Sequence, residues 1–228
     1  MNRLATLLSA AALLCTVASV TQAQGTAGNQ GGIKLGKVYV TGENPVVRLL
    51  DKEGGTPLTF ASYWRIVWSP VGPGHVCYVT TGDGKSPADL RFALTDNQKL
   101  YDYLTREIMV VLDPTIPSRS FSAMQATFRD PGQGTFNSSG AMQERTIQMK
   151  SGKYNVALTW RDFYEPFQLD TPVGGSPNPF GVASLFIPAK SAEVRINGKK
   201  APGKVYPQMR GPAQSSSAFL AFSESWVK

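Results

Sequence analysis

From residue 37 onward, apolar and polar positions alternate in short runs separated by glycine, proline and acidic or amide residues. Runs at Lys37–Thr41, Val46–Asp51, Leu58–Trp68 and His75–Thr81 have the period of two that sets side chains on opposite faces of a β-strand. Between them stand Gly42-Glu43-Asn44-Pro45, Glu53-Gly54-Gly55-Thr56-Pro57, Ser69–Gly74 and Gly82-Asp83-Gly84, all residues that favour turns. Further strands are predicted at Phe121–Arg129, Glu144–Lys150, Tyr154–Tyr164 and Ser217–Val227. In the third run Tyr63, Arg65 and Val67 share one face and Trp64, Ile66 and Trp68 the other, so a central strand covered on both sides is expected. Arg65 would then need a partner, with Asp162 or Glu165 the first candidates, because an unpaired buried charge costs several kcal/mol. In the last run the same alternation sets Phe219, Ala221 and Ser223 opposite Leu220, Phe222 and Glu224.

One segment departs from this period. Leu100, Tyr103, Leu104, Ile108 and Val111 recur at helical steps and predict an amphipathic helix over about 96–111. Thr95 followed by Gln98 fits a capping box, and Asp113-Pro114 supplies the stop. Ala192, Val194 and Ile196 alternate with Glu193 and Arg195 up to Asn197-Gly198, a pair suited to a two-residue hairpin turn. Glu165–Pro188, with five prolines and three glycines, reads as a long loop, either over a pocket mouth or as an inert crossover. The pattern as a whole predicts a mainly β fold, a single-domain antiparallel β-sandwich or β-barrel with one amphipathic α-helix.

The N-terminus changes the picture of where this fold works. Asn2 and Arg3 precede an apolar run from Leu4 to Val20, then small residues ending at Ala23, the order of a secretory signal peptide over residues 1–23. Residues 24–36 contain five glycines and read as a flexible leader, leaving 37–228 as a single β-rich domain. The mature chain is expected to be secreted or periplasmic, with no transmembrane segment. Taking 23 residues from 228 leaves 205, enough for a core without covalent staples. None is available, because Cys15 lies in the signal and Cys77 is then alone. The formal net charge of +7 falls to +6 when Arg3 leaves with the signal, an excess that favours acidic surfaces, while export argues against nucleic acid as a partner.

The candidate chemistry is sparse. One histidine, His75, and one mature cysteine do not supply a zinc site, and no cofactor motif is present. His75 and Cys77 fall on one face of a strand with parallel side chains, a poor geometry for a thiolate–imidazole pair. No family signature is carried; the Gly-x-Trp expected on the first strand of a lipocalin is missing.

Aromatic residues are dense in Tyr63–Trp68 and in Trp160–Phe167. They point to an exported binding protein with an aromatic-lined pocket for a hydrophobic or sugar-like ligand, its candidate contacts Tyr63, Trp64, Arg65, Trp68, Trp160 and Tyr164. Asp162 and Glu165 beside those aromatics offer an alternative, a carboxylate-dependent enzyme acting on a saccharide or similar polar substrate. A third reading is an envelope or matrix protein docking to acidic polysaccharide or lipid headgroups through the basic hairpin residues Arg195, Lys199, Lys200 and Lys204.

Overall fold

A computed structural model describes residues 36–82, 86, 88–112, 135–140, 143–175 and 178–228. The signal peptide, all of the leader but Gly36, the strand expected at Phe121–Arg129 and the Asp113-Pro114 stop lie outside the described residues. The chain is mainly β, with antiparallel strands and one helix.

Strands β1 (Val38–Glu43), β2 (Val46–Leu50), β3 (Pro57–Trp68), β4 (Gly74–Thr81) and β5 (Arg91–Thr95) precede the helix. After it come β6 (Thr135–Ser139), β7 (Glu144–Lys150), β8 (Asn155–Phe163), β9 (Phe167–Thr171) and β10 (Gly181–Ile196). Strands β11 (Lys199–Lys200), β12 (Pro207–Arg210), β13 (Ala213–Ser216) and β14 (Ala218–Val227) complete the chain. The main sheet runs β5-β4-β3-β1-β14-β10-β8-β7-β6, and β12 and β13 form a separate ribbon.

The long strands β3 and β10 are each shared along one edge between successive partners. β1 pairs with the C-terminal end of β3 and β2 with its N-terminal half. At Gly42 an added Cβ would meet the Arg65 carbonyl oxygen at 2.0 Å, so only glycine allows β1 to lie this close to β3. β10 pairs along its first half with β9 and along its second half with β8. Pro188 falls between Phe186, the last residue paired to β9, and Ala189, the first paired to β8, where its missing N–H removes no ladder bond. The expected loop over Glu165–Pro188 is therefore corrected: it contains β9 and half of β10, Pro166 and Pro172 flank β9, and Pro188 marks the change of partner.

The two faces of β3 serve two cores. Phe60, Trp64 and Ile66 enter a cluster with the helix and with Phe186, Phe219 and Trp226. Ala61 and Tyr63 enter a second cluster with Ile147, Leu158 and Trp160 from β7 and β8. Cover on both faces ends at Trp64: Arg65 is exposed, Ile66 is buried on its face alone, and Trp68, 48% exposed, stands beyond it.

The helix is irregular. α1 (Gln98–Leu104) passes into a π turn over Thr105–Met109 and a final turn at Val110–Leu112. Its N-cap is Asn97, whose side chain accepts from the Leu100 N–H; Thr95 instead donates its hydroxyl to the His75 carbonyl, which corrects the expected capping box. The extra residue of the π turn brings Met109 onto the buried side beside Ile108. Among the described residues no helix is long and apolar enough to cross a membrane.

Candidate functional site

Between the helix and the β3–β14 part of the sheet lies a cavity of about 640 Å³. Strand alternation supplies most of its wall. Phe60, Ser62 and Trp64 reach it as every second residue of β3, and Val46 and Arg48 do so from β2, where Val47 and Leu49 face the opposite core. Met109 and Leu112 close it from the helix, and Phe186 from β10. Rings pack closely around it: Trp64 and Trp226 centroids are 5.6 Å apart, and those of Phe186 and Phe219 are 4.0 Å apart.

A β-bulge delivers the acidic group that the cavity has among the described residues. Ser223 has φ 50, and the register between β10 and β14 shifts between Ala183 and Leu185. Before the bulge, Phe219 and Ala221 face the cavity side; after it, Glu224 and Trp226 do. The face expected for Glu224, shared with Leu220 and Phe222, is corrected accordingly. The carboxyl is buried and accepts from the Trp226 indole N–H at 2.6 Å, with further hydrogen bonds to Ser184 and Asn44. Burial pushes it up to about 7, against the opposing pull of those hydrogen bonds and of the Arg210 charge.

Two guanidinium groups face the same space. Arg210, at the end of β12, stands over the rings of Phe186 and Phe219 at 4.7 and 5.5 Å. Burial lowers its pKa, the nearby Glu224 carboxylate acting in the other direction. Burial, and then repulsion from Arg210, lowers Arg48 to about 10. The Nε of Arg48 and the indole Nε1 of Trp64 are buried without a hydrogen-bond partner among the described residues. Most buried polar atoms in folded proteins are paired, so these two donors are exceptions, both carried by residues that line the cavity.

The residues singled out from sequence divide between this cavity and other places. Trp64 lines it. Tyr63 is buried on the other face of β3, and burial pushes its phenol up. Trp160 is fully buried in that second core and donates its indole N–H to the Val46 carbonyl at 3.1 Å. Tyr164 is half-buried beneath Lys190, whose Nζ lies 5.3 Å from the ring. Arg65 pairs with Glu43 at 2.9 Å, which replaces the expected Asp162 or Glu165 partner. Asp162 and Glu165 are exposed and line neither the cavity nor the open groove described next, and the neighbouring Arg161 pairs with Glu144.

In the basic hairpin, Asn197 and Gly198 adopt φ 50 and 79, as their turn requires. Glu193 pairs with both Arg195 and Lys200, leaving Lys199 and Lys204 as its exposed cations without an ion pair among the described residues. His75 lies in an open groove at the sheet end with Arg65, Asp96 and Lys99, its Nδ1 2.5 Å from Asp96 Oδ2. Cys77 is fully buried, and burial pushes its thiol up, away from reactivity.

No protein-family model matches the chain, and no curated protein sequence does. Among solved structures it is similar to acetoacetate decarboxylase from Legionella pneumophila subsp. pneumophila str. Philadelphia 1, at 10% identity and a TM-score of 0.39 over 96% of each chain. A likeness this loose transfers neither residues nor chemistry.

Arg48, Arg210 and Glu224 escaped the sequence reading. Only Arg48 left a local signal, as a lone charge inside the apolar run Val46-Val47-Arg48-Leu49-Leu50.

Proposed function

We propose that this chain is an exported binding protein whose cavity takes a small, mainly apolar molecule. The observation that carries the reading is the 640 Å³ space walled by Phe60, Trp64, Phe186, Phe219 and Trp226. Its size lies within the range of about 300–1,000 Å³ common to small-molecule sites, and aromatic and aliphatic side chains together make up the larger part of its lining, beside a substantial minority of polar groups. Export rests on the basic, apolar and small-residue order of residues 1–23.

A sugar-like ligand fits less well, since Asn44 and Ser62 are already bonded to one another on the wall. The carboxylate-enzyme alternative finds no support in the exposed positions of Asp162 and Glu165. Docking through the hairpin is weakened by Glu193, which neutralises part of its charge.

The test is uptake of an environment-sensitive apolar dye by the mature chain, read by fluorescence, beside native mass spectrometry of protein purified from its host. Val182 is a buried wall residue, so Val182→Trp fills the cavity and is expected to abolish the dye signal while the fold persists by circular dichroism. A wild-type chain that takes up no dye, or a folded Val182→Trp that takes up as much as wild type, overturns the proposal. N-terminal sequencing of the host protein is expected to begin at Gln24, and a retained Met1 would remove the export part of the reading.

A further inference from the structure

Resting on the cavity reading above, we infer that the ligand is a monocarboxylate: its anionic head meets the guanidinium groups of Arg48 and Arg210 and the indole N–H of Trp64, and its apolar body lies against Phe60, Phe219 and Trp226.

Within one aromatic space the chain places two guanidinium groups and a single carboxyl. Neither Arg48 nor Arg210 forms an ion pair among the described residues. Arg48 is held inside an otherwise apolar strand whose flanking residues Val47 and Leu49 are fully buried. Its Nε is buried and has no acceptor among the described residues. Trp64 is 1% exposed and its Nε1 is in the same condition. Leaving a buried donor unpaired is costly, and more so for a charged group. Both donors belong to residues that line the cavity, and an acceptor that reaches them would relieve that cost.

The acceptor must also answer the charge. Arg48 and Arg210 are close enough to repel one another, so an anion placed between them removes a repulsion as well as supplying hydrogen bonds. A guanidinium presents a planar fork that fits a carboxylate with two parallel N–H···O bonds, and such charge-assisted bonds are roughly twice as strong as neutral ones. Glu224 does not serve as that anion, since its carboxyl is occupied by Trp226, Ser184 and Asn44. Arg210 is further fixed as a platform by the rings of Phe186 and Phe219 beneath it, which hold its plane without using its N–H groups. With the polar head placed at the arginines, what is left of the wall is mainly aromatic and aliphatic, its Asn44 and Ser62 bonded to one another, its Thr171 to the Val182 N–H and its Asn178 to the Phe180 N–H, and this calls for a mainly apolar body.

Three probes with one chain length separate head from body: octanoate, octan-1-ol and 1-aminooctane, each titrated against the dye on the full mature chain at pH 6. Octanoate is expected to bind at least about tenfold more tightly than octan-1-ol, the ratio that corresponds to 1.4 kcal/mol, and 1-aminooctane more weakly than either. In Arg48→Gln and Arg210→Gln the ratio of octanoate to octan-1-ol affinity is expected to fall toward one. Equal affinity of acid and alcohol for the wild-type chain overturns the carboxylate inference and leaves the apolar cavity standing. Failure of all three probes together with the dye overturns the cavity reading itself. An acid preference unchanged in both folded arginine variants overturns the assignment of the head-group site. Should either variant not fold, the wild-type comparison of acid with alcohol decides alone.

Discussion

Glu224 gives a prediction whose size follows from its surroundings. The carboxyl is 5% exposed, and burial raises it from an ordinary 4.5 to about 7. Between these values the native chain holds a proton that the unfolded chain has released. Stability attributable to this group is therefore fully present below about pH 4.5 and is lost as pH rises through 7. Each unit of displacement is worth 1.36 kcal/mol, which gives about 3 kcal/mol over the whole window and about 2.5 kcal/mol between pH 5 and 8. Glu224→Gln removes the titration while its amide oxygen still accepts from the Trp226 N–H. Urea unfolding of both proteins at pH 5, 6, 7 and 8 isolates the effect, since every other titrating group is common to the pair. The variant is expected to gain on wild type by about 2.5 kcal/mol between pH 5 and 8. Parallel stability curves, with a difference constant to about 0.5 kcal/mol, would refute the claim that this carboxyl is buried and poorly compensated. A difference moving in the opposite direction would show that Arg210 ion-pairs with it and holds it charged.

Trp160→Phe leaves the Val46 carbonyl without its donor in a sealed core and is expected to destabilise by about 1–3 kcal/mol in urea unfolding, a neutral result removing that hydrogen bond from the account. Cys77 is expected to resist a thiol reagent in the folded state and to label at the rate of unfolding; rapid native labelling would contradict its burial. Gly42→Ala drives a methyl group against the Arg65 carbonyl, so a loss of about 2 kcal/mol or more is expected in thermal unfolding, and an unchanged midpoint would show that β1 and β3 are not so closely apposed.

How much of this was legible in the residues depends on where a regular period holds. The strand at Glu144–Lys150, the turn at Asn197-Gly198 and the face of β3 that carries Trp64 follow from alternation and turn chemistry alone, because nothing in those stretches interrupts the pleat. β9 and the first half of β10 were hidden by proline density. Pro188 breaks no strand there, since it stands where one partner ends and the next begins, a relation that exists only between segments distant in sequence. The cavity itself assembles where regularity fails. A bulge at Ser223, a residue with no special preference for positive φ, turns Glu224 and Trp226 to the opposite face from the one a period of two assigns them. A π turn does the same for Met109. Arg210 comes from a short ribbon outside the main sheet and is 162 positions along the chain from Arg48. Periodicity thus reports the aromatic wall, which any stable core would need, and is blind to the charged groups, which are brought in by local departures from it. Those departures cost stability in a fold with no disulfide to spare it, and the site they create is the feature of this molecule that packing alone does not explain.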